Sequence, residues 1–322
     1  MKLGVFTMLL GNKTLKDSLE FLRGIDVEMV ELGTGGFDGK HHTSPEVLLA
    51  NPKKLVEFKQ TLADYNIKIS ALSCHGNPVH PIKEKADAYH KDFEQSVLLA
   101  EKLGLDRVVT FSGCPGDFPG AVNPNWVTCT WPGEFKEILQ YQWEEVLIPY
   151  WKKAAAFALD HGVDKIAIEM HPGFSVYNPG TMMKLREAVG PVIGVNFDPA
   201  HLVWQGIHPP TAIKNMEGMI YHFHAKDTLI DKVNLAARGV LDATSLSSDK
   251  DRSWSFRTVG YGMDTLLWKE MIMALQMIGY DHVLSIEHED MLMTVEEGIT
   301  KAASFLNEYL IKEELTGFWW EE

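Results

Sequence analysis

The feature that most constrains the fold is a short motif that recurs four times along the chain. In each copy a helical stretch ends in Gly, an apolar residue and Asp follow, and a strand-like run begins. A glycine that caps a helix and leads into a strand is the connection expected between α and β units. The spacing of the copies fits units of about 40 residues, so that eight units fill the chain. The copies are Gly24-Ile25-Asp26, Gly104-Leu105-Asp106, Gly162-Val163-Asp164 and Gly279-Tyr280-Asp281.

Short apolar runs separated by amphipathic helical stretches are the predicted strands. Strand and helix alternating in one series indicate parallel strands with the helices outside. We therefore predict an α/β fold, an eight-stranded (β/α)8 TIM barrel, in one domain of residues 1–322. A doubly wound open sheet ranks lower, because no glycine-rich phosphate turn follows the first strand. The predicted strands span residues 3–6, 29–32, 69–72, 108–111, 166–170, 192–197, 220–224 and 283–287.

Two connections are unusually long, residues 112–147 after the fourth strand and 228–262 after the seventh. Both rise from the carboxyl face of the barrel, where enzymes of this fold keep their sites. We predict that they form lids and pocket walls. Trp126, Trp131 and Trp254 within them either stack on a ring of the ligand or only pin the loops. The aromatic tail, residues 316–322, either packs on the protein's own surface or contacts another subunit, and we favour an assembly.

Charge and cysteine content exclude several classes of protein. A formal charge of −14 argues against a nucleic-acid partner, because phosphate neutralisation dominates such binding. The cysteines form no C-x-x-C pair, which fits a reduced cytoplasm. Residues 1–6 lack the pattern of a signal peptide, and no run approaches the about 18 apolar residues of a membrane helix. We expect a cytoplasmic protein that acts on a small molecule, with neither nucleic acid nor a membrane as its partner.

Four strand ends carry polar side chains that folding does not require. Strand side chains alternate with a period of two, so Glu169 points into the barrel mouth if Ile168 and Met170 face the helices. By the same argument Glu287 points inward if Ile286 points outward. The four segments are Glu169-Met170-His171, Asn196-Phe197-Asp198-Pro199-Ala200-His201, His222-Phe223-His224-Ala225-Lys226-Asp227 and Glu287-His288-Glu289-Asp290.

Carboxylates that converge without a cation would repel one another and raise one another's pKa values. A bound divalent metal ion removes this cost. Two Glu, one Asp and one His, without a thiolate, form a moderately hard ligand set. Such a set suits Mn²⁺, with Mg²⁺ or Co²⁺ as alternatives, better than a tetrahedral structural zinc. We therefore predict one metal ion, bound by Glu169, Asp198, His224 and Glu287.

Over nearly its whole length the sequence resembles the xylose-isomerase-like barrels called sugar phosphate isomerases/epimerases, with ketose 3-epimerases as close relatives. The resemblance implies metal ligation by the four residues above, Glu169 and Glu287 as catalytic acid and base, and His201 as a substrate contact. The implied reaction is isomerisation or epimerisation of a sugar, in which the proton α to a carbonyl leaves and a metal-stabilised enediolate forms. The matching segments are residues 2–6, Ala71-Leu72-Ser73-Cys74-His75-Gly76-Asn77-Pro78, Glu169, Asp198-x-x-His201, His224-x-Lys226-Asp227 and Ser285-Ile286-Glu287-His288-Glu289.

Further substrate contacts are predicted at His75 and Lys226. His75 follows the third strand and either lines the pocket or hydrogen-bonds the turn after it. Lys226 either anchors a substrate oxygen or neutralises surplus carboxylates, and we favour the first.

The sequence departs from the epimerases of the family at two places. They have a second Glu after the first ligand and an Arg soon after the His, where Ser175 and Ile230 stand here. This departure puts a plain ketose 3-epimerase in doubt. We assign the arginine role to Arg252 or Arg257 in the second long connection.

A closer similarity is to the catalytic subunits of C-glycoside deglycosidases, barrels of the same family that work with a β-rich partner chain. It rests on Glu169-x-His171 and on the two long connections. It implies that His171 is the base that enolises a 3-oxo-sugar, whose C–C-linked aglycone then leaves by elimination. This lyase stands as the alternative to the isomerase or epimerase, and assembly as a homo-oligomer or with a second subunit is expected.

Three other classes fit less well. A family 2 apurinic endonuclease would need a His at the end of the fourth strand, where Phe111-Ser112 stand, and D-x-H where Asp231-Lys232-Val233 stand. A non-enzymatic sugar-binding protein would not need two metal-ligating glutamates. A Schiff-base aldolase needs an isolated, desolvated lysine, whereas the carboxylates near Lys226 raise its pKa.

Overall fold

Within residues 1–313 and Trp320, the part of the chain that the computed structural model describes, eight parallel strands close into a barrel. The strands are β1 Lys2–Phe6, β2 Met29–Gly33, β3 Lys68–Ser73, β4 Arg107–Phe111, β5 Lys165–Glu169, β6 Ile193–Phe197, β7 Ile220–Ala225, β8 Asp227–Ile230, β9 Trp254–Arg257 and β10 Val283–Ile286. Chain neighbours pair from β1 to β7, β10 pairs with both β7 and β1, and β8 and β9 form a separate antiparallel hairpin. The predicted barrel is confirmed, and each predicted strand ends within one residue of the observed bound.

The helices surround the barrel, and several begin at a side chain that caps their backbone N–H groups. Thr14, Asn51, Asp264 and Thr294 act in this way, and Asn178 forms a capping box. The helices are α1 Leu15–Arg23, α2 Pro45–Ala50, α3 Pro52–Asp64, α4 Lys83–Leu103, α5 Glu134–Gln140, α6 Ile148–Asp160, α7 Pro179–Val189, α8 Pro199–Val203, α9 Pro209–Asn215, α10 Lys232–Arg238, α11 Thr265–Met277 and α12 Val295–Tyr309.

The predicted alternation of side chains holds at the two glutamates that the sequence predicts to be catalytic, Glu169 and Glu287. Ile168, Met170 and Ile286 belong to the large apolar cluster between strands and helices. Small residues on the opposite face of the strands, Ala167 among them, fill the interior of the barrel in a separate cluster. Glu169 lies two residues beyond Ala167 and therefore continues the inner face to the rim of the barrel.

The two long connections contain regular structure of their own. The first holds α5 and a π-helical turn, Tyr141–Leu147, which runs into α6. The second holds α10 and most of the β8–β9 hairpin, with Trp254 at the start of β9. The sequence does not reveal this hairpin, because its four-residue strands are separated by more than twenty residues and each shows only a short alternation.

The glycines of the repeated motif differ in conformation. Gly104, Gly162 and Gly279 have φ of 73°, 76° and 72°, the left-handed region in which a helix end turns into the next strand. Gly24 caps α1, as expected, with φ of −65°. There the left-handed conformation falls on Asp26, with φ of 60°.

The predicted aromatic tail, residues 316–322, lies outside the described residues except for Trp320. Of the helices in the described part of the chain, none is both long enough and apolar enough to cross a membrane.

Candidate functional site

The four predicted metal ligands meet at the carboxyl end of the barrel. Glu169 is the last residue of β5, His224 lies in β7, and Asp198 and Glu287 directly follow β6 and β10. One candidate ligand atom from each lies within 4.8 Å of the others. The barrel brings them together because the ends of its parallel strands share one rim.

Several polar atoms at this point have no hydrogen-bond partner among the described residues. They are His224 Nδ1, Asp198 Oδ2 and Glu287 Oε2. His224 Nδ1 lies 3.1 Å from Glu169 Oε2 and 2.9 Å from Glu287 Oε2, without the alignment of a hydrogen bond. Leaving such a buried atom unpaired costs about 1–3 kcal/mol. A divalent cation coordinated by carboxylates and an imidazole would satisfy them, so the residues fit a metal ion.

Burial and neighbouring charges strongly shift the pKa values of the three carboxylates. Burial raises the pKa of Asp198 to about 6; the charges of His201 and Lys226 oppose the rise, and Glu169 and Glu287 add to it. Burial also tends to raise the pKa values of Glu169 and Glu287. It is outweighed by the charge of His224 at Glu169 and by the charges of Lys226 and His224 at Glu287, so both pKa values lie well below the usual range. The charges of His224 and Lys226 thus keep the two glutamates ionised, and a metal ion would stabilise Asp198 in its ionised form as well.

Glu31, on β2, contacts the candidate site and is not among the residues that the sequence predicts for it. Its two carboxylate oxygens each accept a hydrogen bond from His224 Nε2 at 3.0 Å. They also accept hydrogen bonds from Ser285 Oγ at 2.7 Å and from Ser73 Oγ. Because Nε2 donates to Glu31, Nδ1 is left facing the ligand cluster, where its lone pair would bind a metal ion once the ring is neutral. Burial would raise the pKa of Glu31, but the charges of His224 and His222 lower it to about 2.

Glu31, His222 and His224 also lie close enough together to hold a metal ion. Two observations favour a supporting role for them instead. The carboxylate of Glu31 is already saturated with hydrogen bonds, and His222 Nδ1 lies 3.1 Å from Asn196 Oδ1. Asn196 in turn donates to Glu169 Oε2 at 2.9 Å. These residues therefore orient the ligands from beneath.

His75 lies beside the ligand cluster. Asp38 Oδ2 accepts from the backbone N–H of His75 at 2.8 Å and from Nδ1 at 2.9 Å. The other ring nitrogen, Nε2, is 3.0 Å from Glu169 Oε2. Burial lowers the pKa of His75, but the charges and hydrogen bonds of Asp38 and Glu169 raise it to about 10. The imidazole is thus held between two carboxylates, one of which is a predicted ligand.

His201 and Lys226 complete the polar rim. His201 Nε2 lies 3.3 Å from Glu169 Oε1 and 3.2 Å from Asp198 Oδ2. Lys226 Nζ lies 3.2 Å from Glu287 Oε1 and 2.6 Å from Glu289 Oε2. Burial opposes the charge of Lys226, but these carboxylates raise its pKa well above the usual range. Both side chains can contact an oxygen of a ligand bound over the cluster.

His171 follows β5 and stands next to His201, with 4.0 Å between the ring centroids. Its Nδ1–H donates to the carbonyl of Pro172 at 2.6 Å, which leaves Nε2 as the acceptor. Burial, together with the nearby charge of His201, lowers the pKa of His171 to about 3. The ring is therefore neutral at physiological pH.

Arg257 is placed differently from the other predicted substrate contacts. Its guanidinium forms two hydrogen bonds with the carboxylate of Asp249, at 2.9 and 2.7 Å, within the second long connection. To reach a ligand it would have to leave this ion pair. Its role as a substrate contact stays a prediction.

A cavity of about 260 Å³ opens above the ligand cluster. Phe6, Phe111 and Phe174 form an apolar part of its wall, and the candidate catalytic groups form the polar part. A small cavity with aromatic walls and convergent polar groups is the usual form of a site for a small ligand. The polar lining residues are Asp38, His75, Glu169, His171, Lys226, Glu287 and Glu289.

The chain belongs to the xylose isomerase-like TIM barrel family, whose profile matches residues 19–309. It is 38% identical over 311 residues to the uncharacterised protein YfiH of Bacillus subtilis (strain 168), and this similarity covers 96% of the chain and 99% of YfiH. The expected membership in a xylose-isomerase-like family is confirmed.

Many solved structures share the fold, the following two among them. The IolI protein, whose crystal structure holds a zinc atom, superposes with a TM-score of 0.65 at 22% identity and covers 96% of this chain and 99% of its own. A D-tagatose 3-epimerase-like protein superposes with a TM-score of 0.65 at 19% identity and covers 96% of this chain and 97% of its own.

Proposed function

We propose that the protein is a divalent-metal-dependent isomerase or epimerase of a small carbohydrate. The observation that carries the proposal is the convergence of Glu169, Asp198, His224 and Glu287, with buried ligand atoms that have no hydrogen-bond partner. Family membership and the likeness to a D-tagatose 3-epimerase-like protein support it. We propose Mn²⁺ as the metal ion, with Mg²⁺ or Co²⁺ as alternatives, because the ligands contain no thiolate.

A divalent cation at this centre would polarise the carbonyl and the neighbouring hydroxyl of a sugar and stabilise the enediolate. Glu169 and Glu287 lie on strands that are not neighbours in the barrel, and both carboxylates lie within 3.1 Å of His224 Nδ1. In the proposal one removes the proton α to the carbonyl and the other returns a proton. Because their pKa values lie well below the usual range, either carboxylate is ionised and able to accept the substrate proton, and the one that returns a proton first takes it up from solvent.

The remaining polar groups position the sugar in this proposal. His201 and Lys226 hold oxygens at the rim, and His75 orients Glu169 as well as lining the cavity. Lys226 also balances the charge of Glu287 and Glu289, from which it is 3.2 and 2.6 Å distant. The aromatic walls exclude water from the reacting carbon.

The first test is metal content, measured by mass spectrometry on the purified protein and on Asp198→Ala. We expect about one equivalent of metal in the wild type and a loss of most of it in the variant, because a missing ligand weakens the site. Asp160→Ala, an exposed Asp at the end of α6, is the matched control and should keep the metal. Loaded protein should then exchange a ketose C–H for deuterium in heavy water. A wild type that takes up no added Mn²⁺, Mg²⁺, Co²⁺ or Zn²⁺ contradicts the proposal.

Cleavage of the C–C bond of a 3-oxo-C-glycoside, with a partner subunit, is the second candidate function. The position of His171 favours it, since this neutral imidazole has an available Nε2 and lines the cavity above the ligands. Both reactions begin with removal of an α-proton. They differ in product, because the lyase releases an aglycone whereas the isomerase leaves the carbon skeleton intact. Chromatography of the products separates the two.

A further inference from the structure

The loops that follow β2 and β3 are fitted tightly to each other beside the ligand cluster. The first contains a 3₁₀ turn, Gly36–Asp38, and the second begins with Cys74 and His75. The backbone N–H of Phe37 donates to the carbonyl of His75 at 2.7 Å. Gly36 has φ of 62°, and a Cβ atom on it would overlap the same carbonyl group. Glycine at position 36 therefore allows the close approach that brings Asp38 against His75.

Asp38 holds His75 by two hydrogen bonds at once. Its Oδ2 accepts from the backbone N–H of His75 at 2.8 Å and from the ring Nδ1–H at 2.9 Å. The first bond fixes the backbone and the second fixes the ring, and both side chains are buried. Rotation of the imidazole away from the ligand cluster would therefore leave a buried N–H group unpaired, which costs about 1–3 kcal/mol.

The turn that carries Asp38 is anchored to α4, away from the candidate metal ligands. Asp92, on α4, accepts from the backbone N–H of Gly36 at 2.8 Å through Oδ2 and from Lys40 Nζ at 2.7 Å through Oδ1. Asp38 is therefore placed by the fold itself rather than by a bound ligand. This is the arrangement expected of a side chain that supports a reactive group.

The two carboxylate oxygens of Glu169 have different surroundings. Oε2 accepts from Asn196 Nδ2 at 2.9 Å and lies 3.0 Å from His75 Nε2 and 3.1 Å from His224 Nδ1. Oε1 lies 3.3 Å from His201 Nε2. His75 and Asn196 thus approach the oxygen that faces His224, and they leave the other oxygen on the side of His201.

We propose that Asp38 is a positioning residue that acts through His75 on Glu169. It fixes the imidazole, and the imidazole, together with Asn196, holds Oε2 toward the metal centre. Oε1 is then the oxygen that exchanges a proton with the sugar. The inference rests on the proposed function, in which Glu169 is both a metal ligand and an acid–base group. A carboxylate that is held in place before the sugar binds needs little reorganisation during the reaction.

The first test uses Co²⁺ alone as a probe, because the visible absorption of bound Co²⁺ reports the geometry of its ligands. Asp38→Ala and His75→Ala should shift the absorption spectrum in the same way, and the double variant should give the spectrum of His75→Ala. Asp87→Ala, at an exposed aspartate on α4, is the matched control and should keep the wild-type spectrum. A wild-type spectrum in Asp38→Ala, or a double variant whose spectrum departs further than that of His75→Ala, overturns the proposal.

A second test needs no metal and uses NMR of the protein labelled with ¹⁵N at histidine. The Nδ1–H proton of His75, which is buried and donated to a carboxylate, should give a low-field signal that Asp38→Ala removes. Glu169→Gln should shift the Nε2 signal of His75 and leave the Nδ1–H signal in place. If Asp38→Ala does not fold, Asp38→Asn replaces it in both tests and should shift the Nδ1–H signal, because a neutral acceptor binds more weakly. A His75 ring that is unaffected by substitution of Asp38 or of Glu169 overturns the proposal, whereas a wild type that gives these signals but binds no metal contradicts only the proposed function.

Discussion

At the residue scale, His224 contacts carboxylates through both of its ring nitrogens. Nδ1 faces Glu169 and Glu287, whereas Nε2 donates to Glu31. A carboxylate that fixes the tautomer and orientation of a metal-binding histidine typically affects metal affinity as strongly as some of the ligands do. Glu31 therefore acts as a positioning residue for the proposed centre.

We predict that Glu31→Gln weakens metal binding by about 10–100-fold. The amide loses the negative charge and turns an N–H group toward the donors His224, Ser73 or Ser285. Titration calorimetry with Mn²⁺ measures the change. Glu28→Gln, an exposed carboxylate at the start of the same segment, is the control and should bind metal like the wild type. Unchanged affinity in Glu31→Gln would mean that Glu31 supports the barrel rather than the centre.

The sequence reveals the proposed ligands more readily than their supporting residues. Glu169, Asp198, His224 and Glu287 stand at or just beyond the ends of strands, where period-two alternation and the barrel rim place them together. Glu31 lies between Val30 and Leu32 in a strand in which every residue is buried. The only indication of Glu31 in the sequence is a carboxylate inside an apolar run. No neighbouring residue indicates its hydrogen-bond partners, which come from β3, β7 and β10.

At the scale of elements, one carboxylate anchors the β8–β9 hairpin beside the barrel. The hairpin begins at Asp227, whose carboxylate accepts hydrogen bonds from the backbone N–H groups of Thr228 and Met263 at 2.7 Å and of Gly260 at 2.8 Å. It also accepts from Trp268 Nε1 at 3.0 Å, so one side chain ties the hairpin to α11. The sequence predicts the position of this long connection but not its internal structure, since the pairing of Asp227 with Arg257 spans the whole of it.

We predict that Asp227→Asn destabilises the protein by about 1–3 kcal/mol. The buried amide has one acceptor oxygen and turns its NH₂ group toward backbone N–H donors, at least one of which then stays unpaired. Urea unfolding, followed by fluorescence, measures the loss. Asp231→Asn is the matched control, because Asp231 caps α10 and Asn caps a helix equally well. Its cost should stay below about 0.5 kcal/mol, and similar costs for the two variants would show that Asp227 is not the anchor.

At the scale of the whole molecule, the barrel converts distant stretches of sequence into one acidic centre. Residues 169, 198, 224 and 287 come from four strands, and closure of the barrel by β1 and β10 fixes their separation. Folding without a cation therefore brings together carboxylates that repel one another. Metal binding and global stability must be linked, since the unfolded chain offers no such site.

We predict that saturating Mn²⁺ raises the melting temperature by about 5 °C, because metal at 100 times its Kd adds about 2.7 kcal/mol of stability. A chelator should reverse the rise. Asp198→Asn keeps the acceptor for the backbone N–H of Ala200 but removes one converging charge. Its metal-free form should melt at or above the temperature of the metal-free wild type, and added Mn²⁺ should shift it little. Scanning calorimetry of both proteins, with and without metal, tests whether the order of their melting temperatures reverses when metal is added. The contrary result is a variant that melts at a lower temperature than the wild type both with and without metal. It would show that Asp198 stabilises the fold through its own contacts and that the metal does not act by relieving charge repulsion.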